Sequence, residues 1–109
     1  MEWDVQFDDE FVEWFHDLEE TLQDEIIAYT NLLKKHGPRL GRPHVDTLED
    51  PAFTNMKELR IQFRGDPWRI LFAFDPKRAA ILLVGGNKRG DKRWYKKHLR
   101  SPINASSFI

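Results

Sequence analysis

Leu59-Arg60-Ile61-Gln62-Phe63-Arg64-Gly65-Asp66-Pro67-Trp68-Arg69-Ile70-Leu71-Phe72-Ala73-Phe74 carries the clearest structural pattern in the chain. Leu59, Ile61 and Phe63 alternate with Arg60, Gln62 and Arg64. After Gly65-Asp66-Pro67, Trp68, Ile70, Phe72 and Phe74 alternate with Arg69, Leu71 and Ala73. Period two is the side-chain repeat of a strand, and the Gly-Asp-Pro run between the two halves is a hairpin signal. Asp75-Pro76-Lys77-Arg78 reads as a second turn. Ala79 to Val84 is apolar at every position, as a strand inside a sheet would be. The stretch therefore predicts a three-strand antiparallel meander.

Toward the N-terminus, Trp3, Val5 and Phe7 alternate with Asp4 and Gln6, which predicts a half-buried strand. Helical spacing follows: Phe11, Phe15, Leu18, Leu22, Ile26, Tyr29 and Leu33 trace one apolar stripe. Asp8 or Asp9 suits an N-cap, and Gly37-Pro38 stops the helical region behind Lys34, Lys35 and His36. A single helix of that length is unusual in a small domain, so a break near Asp17–Glu20, giving a helix pair, is expected. Residues 37–55 hold three prolines and two glycines and read as a surface loop. Beyond the meander, Gly90-Asp91 opens a short basic helix-like segment through Leu99, and Ser101 to Ile109 has no period. The order predicts an α+β two-layer sandwich with the helices on one face of the sheet. Residues 1–99 form a single domain in this reading, and residues 100–109 a flexible tail.

Composition narrows the class. The chain has 109 residues, 40% of them hydrophobic, with 8 Phe, 4 Trp and 2 Tyr, enough for a packed core in one domain. There is no cysteine, which excludes a disulfide framework, a thiol nucleophile and a cysteine metal site. Met1-Glu2-Trp3-Asp4 lacks the positive and apolar regions of a signal peptide, and the run Ala79–Val84 is too short to cross a bilayer. The expectation is a soluble cytoplasmic protein with no membrane partner. Its near-neutral charge of −1 hides a segregation: residues 1–56 carry 14 Asp/Glu against 4 Lys/Arg, and residues 57–109 carry 13 Lys/Arg against 4 Asp/Glu. Such asymmetry suits a nucleic-acid partner, although opposite halves also attract each other within one fold.

The alternation places the candidate site. If Leu59, Ile61 and Phe63 face the helices, then Arg60, Gln62 and Arg64 face away, and Arg69 joins them from the next strand. Lys88 and Arg89 follow Gly85-Gly86, a glycine pair that lets another backbone or a ligand approach. Arg60, Arg69, Lys88 and Arg89 are thus expected on one concave sheet surface able to hold phosphate. The segment from Asn87 to Lys97 interleaves Lys88, Arg89, Lys92, Arg93, Lys96 and Lys97 with Trp94 and Tyr95, a mixture that suits RNA. Trp94 is assigned to the core, and Tyr95 is the better functional candidate. No phosphate-binding glycine loop or dinucleotide fingerprint is present. His16, His36, His44 and His98 lack paired spacing for a zinc site. His44 with Asp46 forms a candidate acid/base pair, though such residues more often brace their own loop.

The strand–helix–helix–meander order, with Lys57-Glu58-Leu59-Arg60, Trp68-Arg69-Ile70-Leu71-Phe72, Lys88-Arg89 and Trp94-Tyr95, resembles the RelE/ParE toxin superfamily, nearest its HigB-like branch. The resemblance spans residues 1–98. It implies the toxin of a type II toxin–antitoxin pair, with a helix-turn-helix antitoxin as partner in a hetero-oligomer. RelE and HigB members cut mRNA on the ribosome, whereas ParE members poison DNA gyrase; a nucleic-acid-binding module without toxicity and a degenerate toxin that only binds antitoxin stay open beside them. For cleavage by 2′-hydroxyl attack on the adjacent phosphate, with the 5′-oxygen leaving as it takes a proton, the resemblance gives Arg60 and Arg69 the phosphorane charge, Lys88 or Arg89 further charge stabilisation or help to the leaving group, and Tyr95 base stacking or proton transfer. Lys57, Arg64, Arg89, Lys92, Arg93, Lys96 and Lys97 would contact RNA. No metal or other cofactor is implied. RelE-like members carry lysines two and four residues before the Leu-Arg arginine; here those positions are Glu58 and Met56, and Lys57 has the opposite parity. A lysine base is missing unless a bulge turns Lys57 over.

Overall fold

A computed structural model describes residues 2–48 and 55–90. Its elements are β1 (Asp4–Phe7), α1 (Asp9–His16), α2 (Glu20–His36), a 3₁₀ turn (Gly37–Arg39), β2 (Val45–Thr47), β3 (Met56–Phe63), β4 (Asp66–Asp75) and β5 (Ala79–Asn87). The strands form one five-stranded sheet in the order β1-β5-β4-β3-β2. The α+β architecture and the meander are as the alternation predicts. The expected basic helix-like segment through Leu99 and the tail 100–109 lie outside the described residues, as do Lys92, Arg93, Trp94, Tyr95, Lys96 and Lys97. Among the described residues, no helix is long and apolar enough to cross a membrane.

The helices break where the sequence predicts, for an identifiable reason. Asp8 caps α1, accepting from the Glu10 backbone N–H at 3.2 Å. At the far end, the Phe15 carbonyl accepts from the Leu18 backbone N–H at 3.2 Å and from Gln23 Nε2 at 2.8 Å, which ties α2 to the last turn of α1. Helix α2 then runs to Gly37, whose φ of 55° and contact with the Trp3 indole exclude a side chain there.

Two of the strand pairings are ones that sequence cannot announce. β1 joins β5 in parallel, Val5 opposite Ala80. β2 corrects the reading of residues 37–55 as loop: Val45–Thr47 pairs antiparallel with Leu59, Glu58 and Lys57. Three residues among prolines and glycines carry no period, and only the partner strand makes them extended. The first hairpin also shifts by two residues. Phe63 pairs with Asp66, so the loop is Arg64-Gly65, both at positive φ (51° and 82°), and Asp66-Pro67 already belongs to β4. Positive φ at both central residues is the two-residue hairpin geometry whose twist matches the strands.

The main core lies between helices and sheet: Val5, Phe11, Leu22, Ile26, Leu33, Leu59, Ile61, Ile70, Phe72, Ala80 and Leu82 are all buried. A second buried cluster, Met56, Leu71, Ala73, Ala79, Ile81, Leu83 and Val84, occupies alternate positions and hence the sheet's other face. A bulge beside Leu71/Phe72 pairs Leu71 with Val84 and Phe72 with Leu82, which brings Val84 onto that second face. The face opposite the helices is thus apolar toward β5 and polar toward β3.

Candidate anion-binding cleft

Arg60 on β3 and Arg69 on β4 are direct partners in the antiparallel register. Directly opposed residues have Cα atoms about 4.5–5.5 Å apart and side chains on one face, an arrangement that costs energy for like charges. Both line a cleft of about 350 Å³ with Tyr29, Pro43, His44 and Gln62. His44 arrives because β2 extends the register: the Arg60 backbone N–H donates to the His44 carbonyl at 2.7 Å. Its ring meets Tyr29 of α2 edge-on, with centroids 5.7 Å apart.

The two arginines differ in how their charge is met. Arg60 is 36% exposed and lies 3.5 Å from Glu58 and 3.9 Å from Asp46. Arg69 is only 6% exposed. Its Nη1 donates to the Trp68 carbonyl at 3.0 Å, and its Nε is buried with no hydrogen-bond partner. Among the described residues no carboxylate pairs with it. A buried guanidinium left this way is costly in a folded protein unless a further group completes it. Strand alternation places Arg69 on this face; its burial is not legible in the sequence.

The remaining candidates disperse. Arg89 leaves the cleft for Asp66, 2.6 Å away, where Asn87 also donates at 3.1 Å. These hydrogen bonds, Arg89 first, hold the Asp66 carboxyl below its ordinary pKa. Arg64 corrects a second expectation: its positive φ swings it from the Arg60 face to Glu19, 2.8 Å away at the start of α2, and over the Phe63 ring. Lys88 donates its backbone N–H to the Pro67 carbonyl and is not among the residues lining the cleft. The expected convergence of four cations therefore holds for Arg60 and Arg69 only. Lys57 stays on the face opposite Arg60, because β3 has no bulge, and its Nζ donates to Thr47 Oγ1 at 3.2 Å. The glycine pair admits the protein itself: Gly85 is covered by the Trp14 indole.

Asp46 does brace its loop. It accepts from Arg42 at 3.1 Å and from the Thr47 backbone N–H at 2.9 Å. The Arg42 bond is the main cause of its lowered pKa, with Thr47 next and the charge of Arg60 a smaller one. Its carboxylate is thus committed to arginines, and His44 enters the cleft without it. That role for His44 is half legible: the residue stands out in the sequence, but its neighbours Tyr29, Arg60 and Arg69 depend on pairings far apart in the chain.

The family described as phage-derived protein Gp49-like matches residues 13–103. A protein of Mycobacterium tuberculosis that bears the toxin name HigB3 is 49% identical over 87 residues, 79% of this chain and 75% of that protein. The chain belongs to this family, the HigB-like branch of the RelE/ParE toxins. Solved folds agree. The free E. coli toxin RelE, in a mutant form, superposes with a TM-score of 0.64 at 13% identity, over 92% of this chain and 98% of RelE. The toxin–antitoxin complex RelBE2 of M. tuberculosis matches with a TM-score of 0.61 at 15% identity, over 80% of this chain and 99% of the matched one. This HigB-like toxin thus has the RelE fold, with Met56 and Glu58 facing the cleft side of β3 where the resemblance leads one to expect lysines. Glu58 is 6% exposed.

Proposed function

We propose that this HigB-like toxin is a ribosome-dependent endoribonuclease that cuts mRNA by attack of a 2′-hydroxyl on the adjacent phosphate. The observation that carries the reading is the buried Arg69 guanidinium, without a carboxylate among the described residues, directly opposite Arg60 in the floor of a cleft. In such a reaction negative charge grows on the non-bridging oxygens, and a planar guanidinium fork matches two of them. Arg69 holds the charge and Arg60, loosely paired to Glu58 and Asp46, closes over it from solvent. The charge that a metal ion would otherwise carry then rests on two arginines.

The attacking hydroxyl must give up a proton. With Met56 and Glu58 in the lysine positions and Lys57 on the far face, His44 is the group in the cleft suited to accept it, and Tyr29 holds its ring. Tyr95 keeps its proposed role in stacking or proton transfer, and Lys92, Arg93, Lys96 and Lys97 theirs in holding RNA. By analogy with the RelBE2 complex, the partner proposed for this toxin is a cognate antitoxin, with helix-turn-helix character and a hetero-oligomeric assembly, in the cytoplasm.

A gyrase-poisoning activity of the ParE kind is the second reading, favoured by the missing lysines. Purified toxin on translating ribosomes, read by primer extension, should give discrete mRNA cuts, and His44→Gln should slow them by roughly 10²–10⁴-fold, the usual worth of a general base. Intact mRNA together with inhibited gyrase supercoiling would overturn the nuclease reading; undiminished cutting by His44→Gln would remove His44 from it.

A further inference from the structure

A second cleft, about 480 Å³, lies at the C-terminal end of α2 and is lined by Trp3, Lys35, His36, Pro38, Arg39 and Arg78. Cations at the end of a helix are expected, since they meet its open carbonyls, and this accounts for Lys35 and His36. It does not account for Arg39, which comes from the 3₁₀ turn, or Arg78, which comes from the turn between β4 and β5. None of the lining residues is acidic, although the first half of the chain is crowded with carboxylates.

The cleft also differs from the other basic surface. Arg42, Arg64 and Arg89 each meet a carboxylate, whereas Lys35, His36 and Arg39 form no salt bridge among the described residues. Its aromatic wall is fixed. The Trp3 backbone N–H donates to the Lys34 carbonyl at 2.8 Å, the Phe74 ring meets the indole edge-on at 5.2 Å, and the Arg78 guanidinium lies over the indole at 4.9 Å. Arg78 does this from a φ of 64°, a region that non-glycine residues seldom occupy.

A short stretch of chain links the two clefts. Pro38 and Arg39 line one, Pro43 and His44 the other. Four residues of chain reach no further than roughly 14 Å, so Arg39 and Pro43 are within that distance. We infer that the cleft of Lys35, Arg39 and Arg78 is a second anion subsite, which binds a backbone phosphate of the same RNA whose scissile phosphate occupies the Arg60–Arg69 cleft. The inference rests on the nuclease reading for the identity of the RNA, but its test does not need cleavage.

The probe is a labelled 12-nucleotide oligouridylate, titrated with the full-length protein by fluorescence anisotropy over a range of salt. Lys35→Gln with Arg39→Gln should weaken binding about tenfold or more at low salt. The slope of log affinity against log salt should become shallower by about 0.7 for each single-strand phosphate that the variant no longer neutralises. Both residues are exposed, and an unchanged circular dichroism spectrum and melting temperature confirm that the variant folds. Unchanged affinity and slope overturn the subsite, even if the wild type cuts mRNA on ribosomes. Weaker binding with a shallower slope upholds it, even if no cutting is seen. If an oligoglutamate of equal charge binds instead of RNA and loses affinity in the variant, the cleft serves an acidic protein segment and the proposal fails.

Discussion

Replacing Arg69 by methionine should make the toxin more stable and nearly inert as a nuclease. The side chain is 6% exposed, its Nε has no partner, and it sits directly across from Arg60. A buried donor left unsatisfied costs about 1–3 kcal/mol, and like charges directly opposed on a sheet add roughly 0.2–1 kcal/mol. Methionine keeps the unbranched stem and fills irregular space, so packing is largely retained. Against the gain stands one hydrogen bond, Nη1 to the Trp68 carbonyl, worth about 0.5–1.5 kcal/mol. The balance is a stabilisation of about 1 kcal/mol, which in a domain near this size raises the melting temperature by about 4–8 °C. Loss of a preorganised donor to the phosphorane should cut the rate roughly 10²–10³-fold. Calorimetry of the purified chain and primer extension on translating ribosomes read the two effects separately. A melting temperature several degrees below wild type would mean that Arg69 is held for structure, and the argument for an anion site would go with it.

Two further outcomes test the fold and its charges. Gly85→Ala would drive its Cβ into the Trp14 ring, so overpacking should cost about 1–3 kcal/mol; adding Trp14→Leu should recover much of the loss in a denaturant titration, and strictly additive effects would refute the clash. Asp66 has its pKa lowered from 3.8 by its bonds to Arg89 and Asn87, so its contribution to stability is present above that value and lost as pH falls through the lower folded one. Asp66→Asn should therefore melt below wild type at neutral pH and converge with it in acid; a constant gap down to acid pH would show that the ionised carboxylate is not what stabilises this corner.

Arg60 and Arg69 can be assigned to one face, and Lys57 to the other, because strand alternation is local: each peptide turns its side chain over, whatever the partner strand. The helix break near Asp17 is legible for a similar reason, since the length of the apolar stripe exceeds what a small domain uses in one helix. The candidate site is legible only in part. Arg64 and Arg89 read as surface cations, yet Glu19 and Asp66 claim them across 45 and 23 residues of chain. β2 is invisible because its three residues owe their extension to β3. His44 can be noticed but not placed, since what makes it a candidate base is Tyr29 from α2 on one side and Arg60 from β3 on the other.

From the sequence by itself come the faces of the side chains within the regular strands, the places where the helices stop, and the cationic character of the back half of the chain. These follow from backbone geometry and composition within a few residues. Packing of distant elements settled which cations meet carboxylates, which one is buried, and which histidine stands beside them. Burial and ion pairing depend on strands and helices brought together from distant parts of the chain, and no local pattern encodes that meeting.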